Sequence, residues 1–192
     1  MQLLKKNILA TIEAQQALLA NDDTLSIFDQ AATHVVACYQ KGGRLYIAGN
    51  GGSAADAQHL AAEFVSKLAR DRNPLPAEAL TTDSSILTAI GNDYGFEKVF
   101  SRQLQGKLQA NDVFLGITTS GQSPNILRAL EVCREKGIKT IVFTGRDGGK
   151  TEALADYCLI VPGKMTSTIQ ELHILLAHSL CEAVESALFP VP

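Results

Sequence analysis

Residues 44–65 read RLYIAGNGGSAADAQHLAAEFV: a short apolar run, Arg44–Ala48, breaks into Gly49-Asn50-Gly51-Gly52 and gives way to an alanine-rich stretch of helical character from Ser53. Strand, glycine turn and helix in that order open a βαβ unit. The same rhythm repeats downstream. Candidate strands fall at Ala77–Leu80, Val113–Ile117, Thr140–Thr144 and Tyr157–Val161; candidate helices fall at Ser53–Leu68, Ser84–Ile90, Pro124–Lys136, briefly near Thr151–Ala155, and at Thr168–Leu188. This alternation predicts an α/β fold, a parallel five-stranded sheet with helices on both faces. Upstream, Leu4, Ile8, Ile12 and Leu18 or Leu19 recur at helical spacing, and after Asp22-Asp23-Thr24 so do Leu25, Phe28, Ala32, Val35, Val36 and Tyr39. Two amphipathic N-terminal helices therefore precede the first strand. The most loop-like stretch, Asp71–Pro76, reads as a surface connection.

A chain of 192 residues, 46% apolar and 19% charged, suits one domain with one sizeable core. A net charge of −3 without long charge runs gives no footprint for nucleic acid or an anionic membrane. Cys38, Cys133, Cys158 and Cys181 form no CxxC, so neither a zinc knuckle nor a redox dithiol is indicated and reduced thiols are expected. Lys, Asn, Glu and Gln interrupt the apolar residues of MQLLKKNILATIEAQQALL, and no 18-residue apolar run occurs. The expectation is therefore a cytoplasmic protein without signal peptide or membrane span.

In an open parallel sheet ligands bind beyond the carboxyl ends of the strands, so the segments after each strand carry the functional signal. The first, Gly49–Ala54, fits GxGxxA, a weak dinucleotide fingerprint in which Ser53 can cap the next helix. A dinucleotide site wants a ribose-binding acid about 20 residues on. Asp83, the candidate, comes 30 residues after Ser53. After the third strand, Thr118-Thr119-Ser120-Gly121-Gln122-Ser123-Pro124-Asn125 sets four hydroxyls around a glycine, with proline at the first helical position. Hydroxyls and free amides at a helix start bind an anion without lysine; an ordinary serine-capped turn is the competing reading. Because GxxxxGK[ST] is lacking, the anion is read as the phosphate monoester of a small metabolite. The Thr144–Gly149 turn reads as a strand-to-helix connection that can shape the same mouth.

The sharpest feature is the pair His59 and Glu63, four residues apart on one face of a helix otherwise built from alanines, Leu60, Phe64 and Val65. HxxxE suits zinc; it also suits a carboxylate base held in a dry pocket, and it is compatible with a buried structural pair. The last helix adds Gln170, Glu171, His173 and His178 amid aliphatic residues, where a histidine is more often a core or interface residue than a ligand.

In order along almost the whole chain, AGNGGSAADAQHLAAEF, ALTTDSSILTAIGNDYGFEKVFSRQ, GITTSGQSPNIL, TGRDGGK and IQELHILLAH resemble the phosphoheptose isomerase family of SIS-domain sugar-phosphate isomerases. The resemblance implies a single SIS domain of flavodoxin-like architecture over residues 42–192, with the helices of residues 1–41 serving oligomerisation. It implies isomerisation of sedoheptulose 7-phosphate to D-glycero-D-manno-heptose 7-phosphate through an enediol, an early step toward ADP-heptose and the lipopolysaccharide core. A homotetramer with one zinc ion per subunit is implied as well. Carried over residue by residue, substrate contacts fall on Asn50, Gly51, Gly52, Ser53, Glu63, Asn92, Asp93, Thr118, Thr119, Ser120, Ser123 and Gln170. Zinc ligands fall on His59, Glu63, Gln170 and His178, with Glu63 as the base and His178 as the partner acid.

Two positions depart from the family, which often has arginine at Lys67 and a basic residue at Thr168. Gln170 and His178 are eight residues apart, about 12 Å along a helix. Either the helix bends or the two reach a metal from different protomers; by angle Glu171 lies closer to the His178 face. The apolar stripes of the first and last helices exceed what five short strands can cover. The expectation is a tetramer with a central helical bundle and sites completed across interfaces.

Two rivals remain. A non-catalytic SIS paralogue binds DnaA in replication initiation, and SLCEAVESALFP resembles its tail, but that class lacks the histidine and glutamate present here as His59 and Glu63. A dinucleotide-dependent oxidoreductase has no use for that pair on the helix facing the pyrophosphate.

Overall fold

The computed structural model describes residues 2–190. Two helices, α1 (Gln2–Leu19) and α2 (Asp22–Gln40), precede β1 (Leu45–Gly49), α3 (Gly52–Val65), β2 (Ala77–Ala79) and α4 (Ser84–Tyr94). Then follow α5 (Ser101–Lys107), β3 (Val113–Thr118), α6 (Pro124–Glu135), β4 (Lys139–Gly145), β5 (Tyr157–Val161) and α7 (Thr166–Leu188), with short 3-10 turns at Phe96–Lys98 and Gly149–Thr151. Every strand pairing is parallel, and the order is β2-β1-β3-β4-β5. That is the flavodoxin-like winding, whose switch point lies between β1 and β3.

Successive side chains of a strand face opposite sides of the sheet, and the two cores divide accordingly. Leu45, Ile47, Val113, Leu115, Ile117, Ile141 and Phe143 face α1, α2, α3 and α7; Tyr46, Ala48, Phe114 and Val142 face α5 and α6. The N-terminal helices share the first core through Ala14, Leu18, Ala31 and Val35. Among the described residues no helix is long and apolar enough to cross a membrane. All four cysteines are free, and all but Cys158 are buried.

Several elements differ from expectation, each for a physical reason. The α5 helix was hidden because its buried positions include Gln103, which masks the apolar period; its amide is satisfied by the carbonyls of Leu80 and Val99, each at 2.9 Å. Ser53 does not cap α3: Gly51 takes the N-cap position at φ 57°, the helix starts at Gly52, and Ser53 is buried. Asp83 accepts a hydrogen bond from the Ile86 amide at 2.9 Å and caps α4, which accounts for the acid without a ribose. Residues 71–76 do form an irregular connection, but not a purely superficial one, because the side chain of Arg72 is 1% exposed and Leu75 is buried. The short helix expected at Thr151–Ala155 is the 3-10 turn Gly149–Thr151, and α3 stops at Val65 instead of Leu68.

Candidate active site

The glycine loop after β1 and the serine loop after β3 meet at the switch point. Asn50 and Asn125 pair their side-chain amides reciprocally, at 2.9 and 2.8 Å, and Asn125 is buried. The Asn125 carbonyl also receives the Ile126 amide at 3.0 Å. Asn50 thus acts as a strut between the two loops, so its amide is largely committed before any ligand arrives. Nothing local in the sequence signals Asn125 as its partner, because the contact spans 75 residues.

Ser123 stands at the N-cap of α6 without capping it; its hydroxyl lies 2.9 Å from the Thr118 hydroxyl instead. The ordinary capped turn is therefore not what forms. Ser120 Oγ accepts the Gln122 amide at 3.2 Å, and Gly121, at φ 63°, sits so close to Gly148 that a Cβ would collide with the Gly148 carbonyl. The Thr144–Gly149 turn thus supports the back of the hydroxyl loop, and the Thr151 amide reaches the Gly121 carbonyl at 3.3 Å.

Beside this crevice α3 and α7 run against each other. His59 Nε2 lies 3.0 Å from Glu63 Oε1 and 3.4 Å from His178 Nε2, with the two imidazoles edge to face at 5.1 Å. One ligand atom from each of the three residues lies within 4.8 Å of the others. The cluster is open on one side: the side chains of His59 and Glu63 are 47% and 19% exposed. A neutral imidazole nitrogen either donates or accepts, so His59 Nε2 cannot satisfy both Glu63 and His178. A cation between the three donors resolves that conflict, and 3.4 Å is close to the separation of about 3.3 Å between two nitrogens on a tetrahedral zinc ion. The donor set fits a zinc ion.

Gln170 is elsewhere within the chain. Its amide lies against Gly52, where a Cβ would strike it, seven residues before His59 along α3. Glu171, nearer in angle to His178, is engaged by the Thr11 hydroxyl of α1. His173 is a core residue, fully buried and 6.3 Å from the Phe143 ring, and neither ring nitrogen has a partner among the described residues. Asn92 and Asp93 sit at the end of α4, whose residues are all at least partly exposed, and Asn92 donates to Asp93 at 2.7 Å. Of the two departures, Lys67 lies 3.8 Å from Asp71 and Thr168 is buried under α1.

A further carboxylate on α3 carries no motif that marks it in the sequence. Asp56 precedes His59 by three residues, one helical turn, and its buried Oδ2 has no partner among the described residues. Burial pushes its carboxyl above the usual range, against an opposing pull from His59.

A flavodoxin-wound sheet with a hydroxyl loop at its switch point and an imidazole–carboxylate cluster alongside is the build of a sugar-isomerase domain, and the SIS domain family model matches residues 7–145. The phosphoheptose isomerase of Aneurinibacillus thermoaerophilus is 53% identical over 97% of this chain and 94% of its own length. Solved structures of the phosphoheptose isomerases of Neisseria gonorrhoeae and Francisella tularensis superpose with a TM-score of 0.90 each, at 42% and 37% identity, covering 96% and 97% of this chain and 98% and 99% of theirs. The chain belongs to the phosphoheptose isomerase family of SIS-domain proteins. The DnaA-binding alternative finds no support among these relatives.

Proposed function

We infer that this protein interconverts sedoheptulose 7-phosphate and D-glycero-D-manno-heptose 7-phosphate, an aldose–ketose isomerisation early in ADP-heptose synthesis. The observation that carries the reading is the convergence of His59, Glu63 and His178 from two helices beside the loop crevice; the family relationship supports it. Thr118, Thr119, Ser120 and Ser123 take the phosphate, so that binding energy at the far end of the sugar orients the reacting end. Gly51 and Gly52 are proposed to face the sugar from the glycine loop, with Asn50 bracing that loop and Gln170 beside Gly52; Ser53, which is buried, is assigned to the sugar on the family resemblance alone. Asn92 and Asp93 are assigned to sugar hydroxyls on the family resemblance.

Glu63 removes the proton from C1 of the ketose and returns it to C2. His178 protonates the carbonyl oxygen as the enediol forms and recovers a proton on collapse to the aldehyde. His59, Glu63 and His178, with Gln170 as the fourth, are the residues that would hold zinc; with one ligand atom from each, Glu63 would keep its second carboxylate oxygen and His178 its second ring nitrogen for the proton transfers. When bound, such an ion supplies Lewis-acid stabilisation of the enediolate oxygen.

The protein is proposed to work as a homotetramer in the cytoplasm, with the helices of residues 1–41 and α7 in a central bundle. Leu3, Leu4 and Leu19 are 71%, 67% and 73% exposed, and an apolar groove lined by Leu18, Leu25, Phe28 and Leu175 runs between α1, α2 and α7. Such a surface wants a partner. Incubation with sedoheptulose 7-phosphate should yield the aldose, and a chelator should suppress the reaction until zinc is restored. Absence of aldose from zinc-loaded protein would rule out the isomerase reading.

A further inference from the structure

The loop after α3 holds a buried ion pair that the reaction does not use. Arg72 Nε donates to Glu185 Oε1 at 2.9 Å, and the two side chains are 1% and 2% exposed. The remaining donors of Arg72 go to the end of α3: Nη2 to the Glu63 carbonyl at 2.9 Å and Nη1 to the Phe64 carbonyl at 2.7 Å, with a further bond to the Asn73 carbonyl at 3.1 Å. Glu185 in turn accepts the amides of Leu68 and Ala69 at 3.0 and 3.3 Å. The Phe189 ring covers the guanidinium at 5.8 Å.

Stability alone is a poor reason for this arrangement, because two buried charges cost more desolvation than an apolar pair of the same volume. The geometry offers a better one. The last carbonyls of a helix lack partners within it, and here they include the carbonyl of Glu63 itself. Glu185 follows His178 by seven residues, two turns along the same face of α7. One pair therefore ties the final turn of α3, which carries the base, to the helix that carries the acid.

We propose that Arg72 and Glu185 are positioning residues for the isomerase site, setting the distance between Glu63 and His178 without touching substrate. The proposal rests on the reading of Glu63 and His178 as base and acid. Its mutational signature is in kcat, since the hydroxyl loop that holds the phosphate lies away from the pair. A misplacement of about 1 Å is enough to cost on the order of 10²-fold in rate.

The test compares zinc-loaded wild type with Arg72→Lys, which keeps the charge but not the fork, and with the double variant Arg72→Met/Glu185→Leu, which replaces the pair by apolar groups of similar size. Ile138→Ala, in the core on the other side of the sheet, is the control for lost stability. Folding is checked by circular dichroism, and kinetics are measured well below each melting midpoint. The expected result is a 10- to 100-fold fall in kcat for Arg72→Lys and for the double variant, with KM for sedoheptulose 7-phosphate within about threefold and Ile138→Ala within twofold of wild type. If the double variant does not fold, Arg72→Lys decides. Wild-type kcat in Arg72→Lys, or an equal loss in Ile138→Ala, overturns the positioning role. A wild type that turns over no substrate overturns the isomerase reading, and this one with it.

Discussion

Glu63 lies 3.0 Å from one imidazole, and that imidazole is 3.4 Å from a second, so each side chain of the cluster depends on the others for its hydrogen-bond or metal partner. Glu63→Gln keeps the shape and loses the base; turnover should fall by roughly 10²- to 10⁴-fold while sugar-phosphate binding persists by calorimetry. His178→Ala should lose a similar factor. Activity within tenfold of wild type would return either residue to a structural role. His173 is the residue whose pH behaviour can be read most directly. Burial pushes its imidazole down to about 4 from an ordinary value of 6.5, against a weaker opposing pull from the Thr144 backbone. Between those values the unfolded chain takes up a proton that the folded one refuses. Stability is therefore full above about pH 6.5 and falls as pH drops toward 4, by about 3 kcal/mol for this group. The melting temperature of His173→Leu should decline less steeply with acid than that of wild type, and parallel curves would refute the assignment. His59 and Glu63 were legible as a pair because four residues make one helical turn. His178 was visible only as one histidine among several.

Elements meet at the switch point, and the hydroxyl loop after β3 is the element whose role is most open to test. Its Ser123 does not cap α6 and pairs with Thr118 instead; on the proposed reading that pair retains hydrogen-bonding capacity for a phosphate. Replacing Ser120 and Ser123 by alanine should raise KM for the phosphorylated sugar about tenfold per lost charge-assisted hydrogen bond, with kcat less affected. Phosphate-free sedoheptulose should bind wild type very poorly; equal affinity in a calorimeter would reduce the loop to a simple turn. The hydroxyl composition of Thr118–Ser123 could be seen in the sequence, but the Asn50–Asn125 strut could not, because it joins loops that only the β1–β3 pairing brings together. The end of α3 belongs in the same class. Helical character continues to Leu68 in the sequence, yet α3 stops at Val65, where Arg72 and Glu185 draw its carbonyls and the amides beyond into contacts from outside the helix.

At the scale of the whole molecule the exposed leucines of α1 and the groove between α1, α2 and α7 argue for assembly. Ile8→Asp with Ile12→Asp, both on the exposed face, should convert the proposed tetramer to smaller species in sedimentation and abolish activity if the site is completed across an interface. A fully active monomer would refute both statements. Because His59, Glu63 and His178 converge within one chain, mixing Glu63→Gln with His178→Ala protomers should recover no activity. Gln170 is different: it rests on Gly52 of its own chain, away from the trio, so mixed Gln170→Ala and Glu63→Gln protomers should recover part of the activity if a neighbour supplies that ligand.

The parallel α/β class, the succession of its five strands and of every α-helix but α5, the hydroxyl loop and the His59–Glu63 pair could all be read from residue order, because each depends on periodicity or on neighbours within one or two helical turns. The structure supplied the spatial strand order β2-β1-β3-β4-β5, the approach of His178 to His59, the burial of Arg72 with Glu185 and the use of Asp83 as a helix cap instead of a ribose ligand. These depend on contacts between residues far apart in the chain, or on competition among partners for the same donors. Local pattern carries no record of which partner wins.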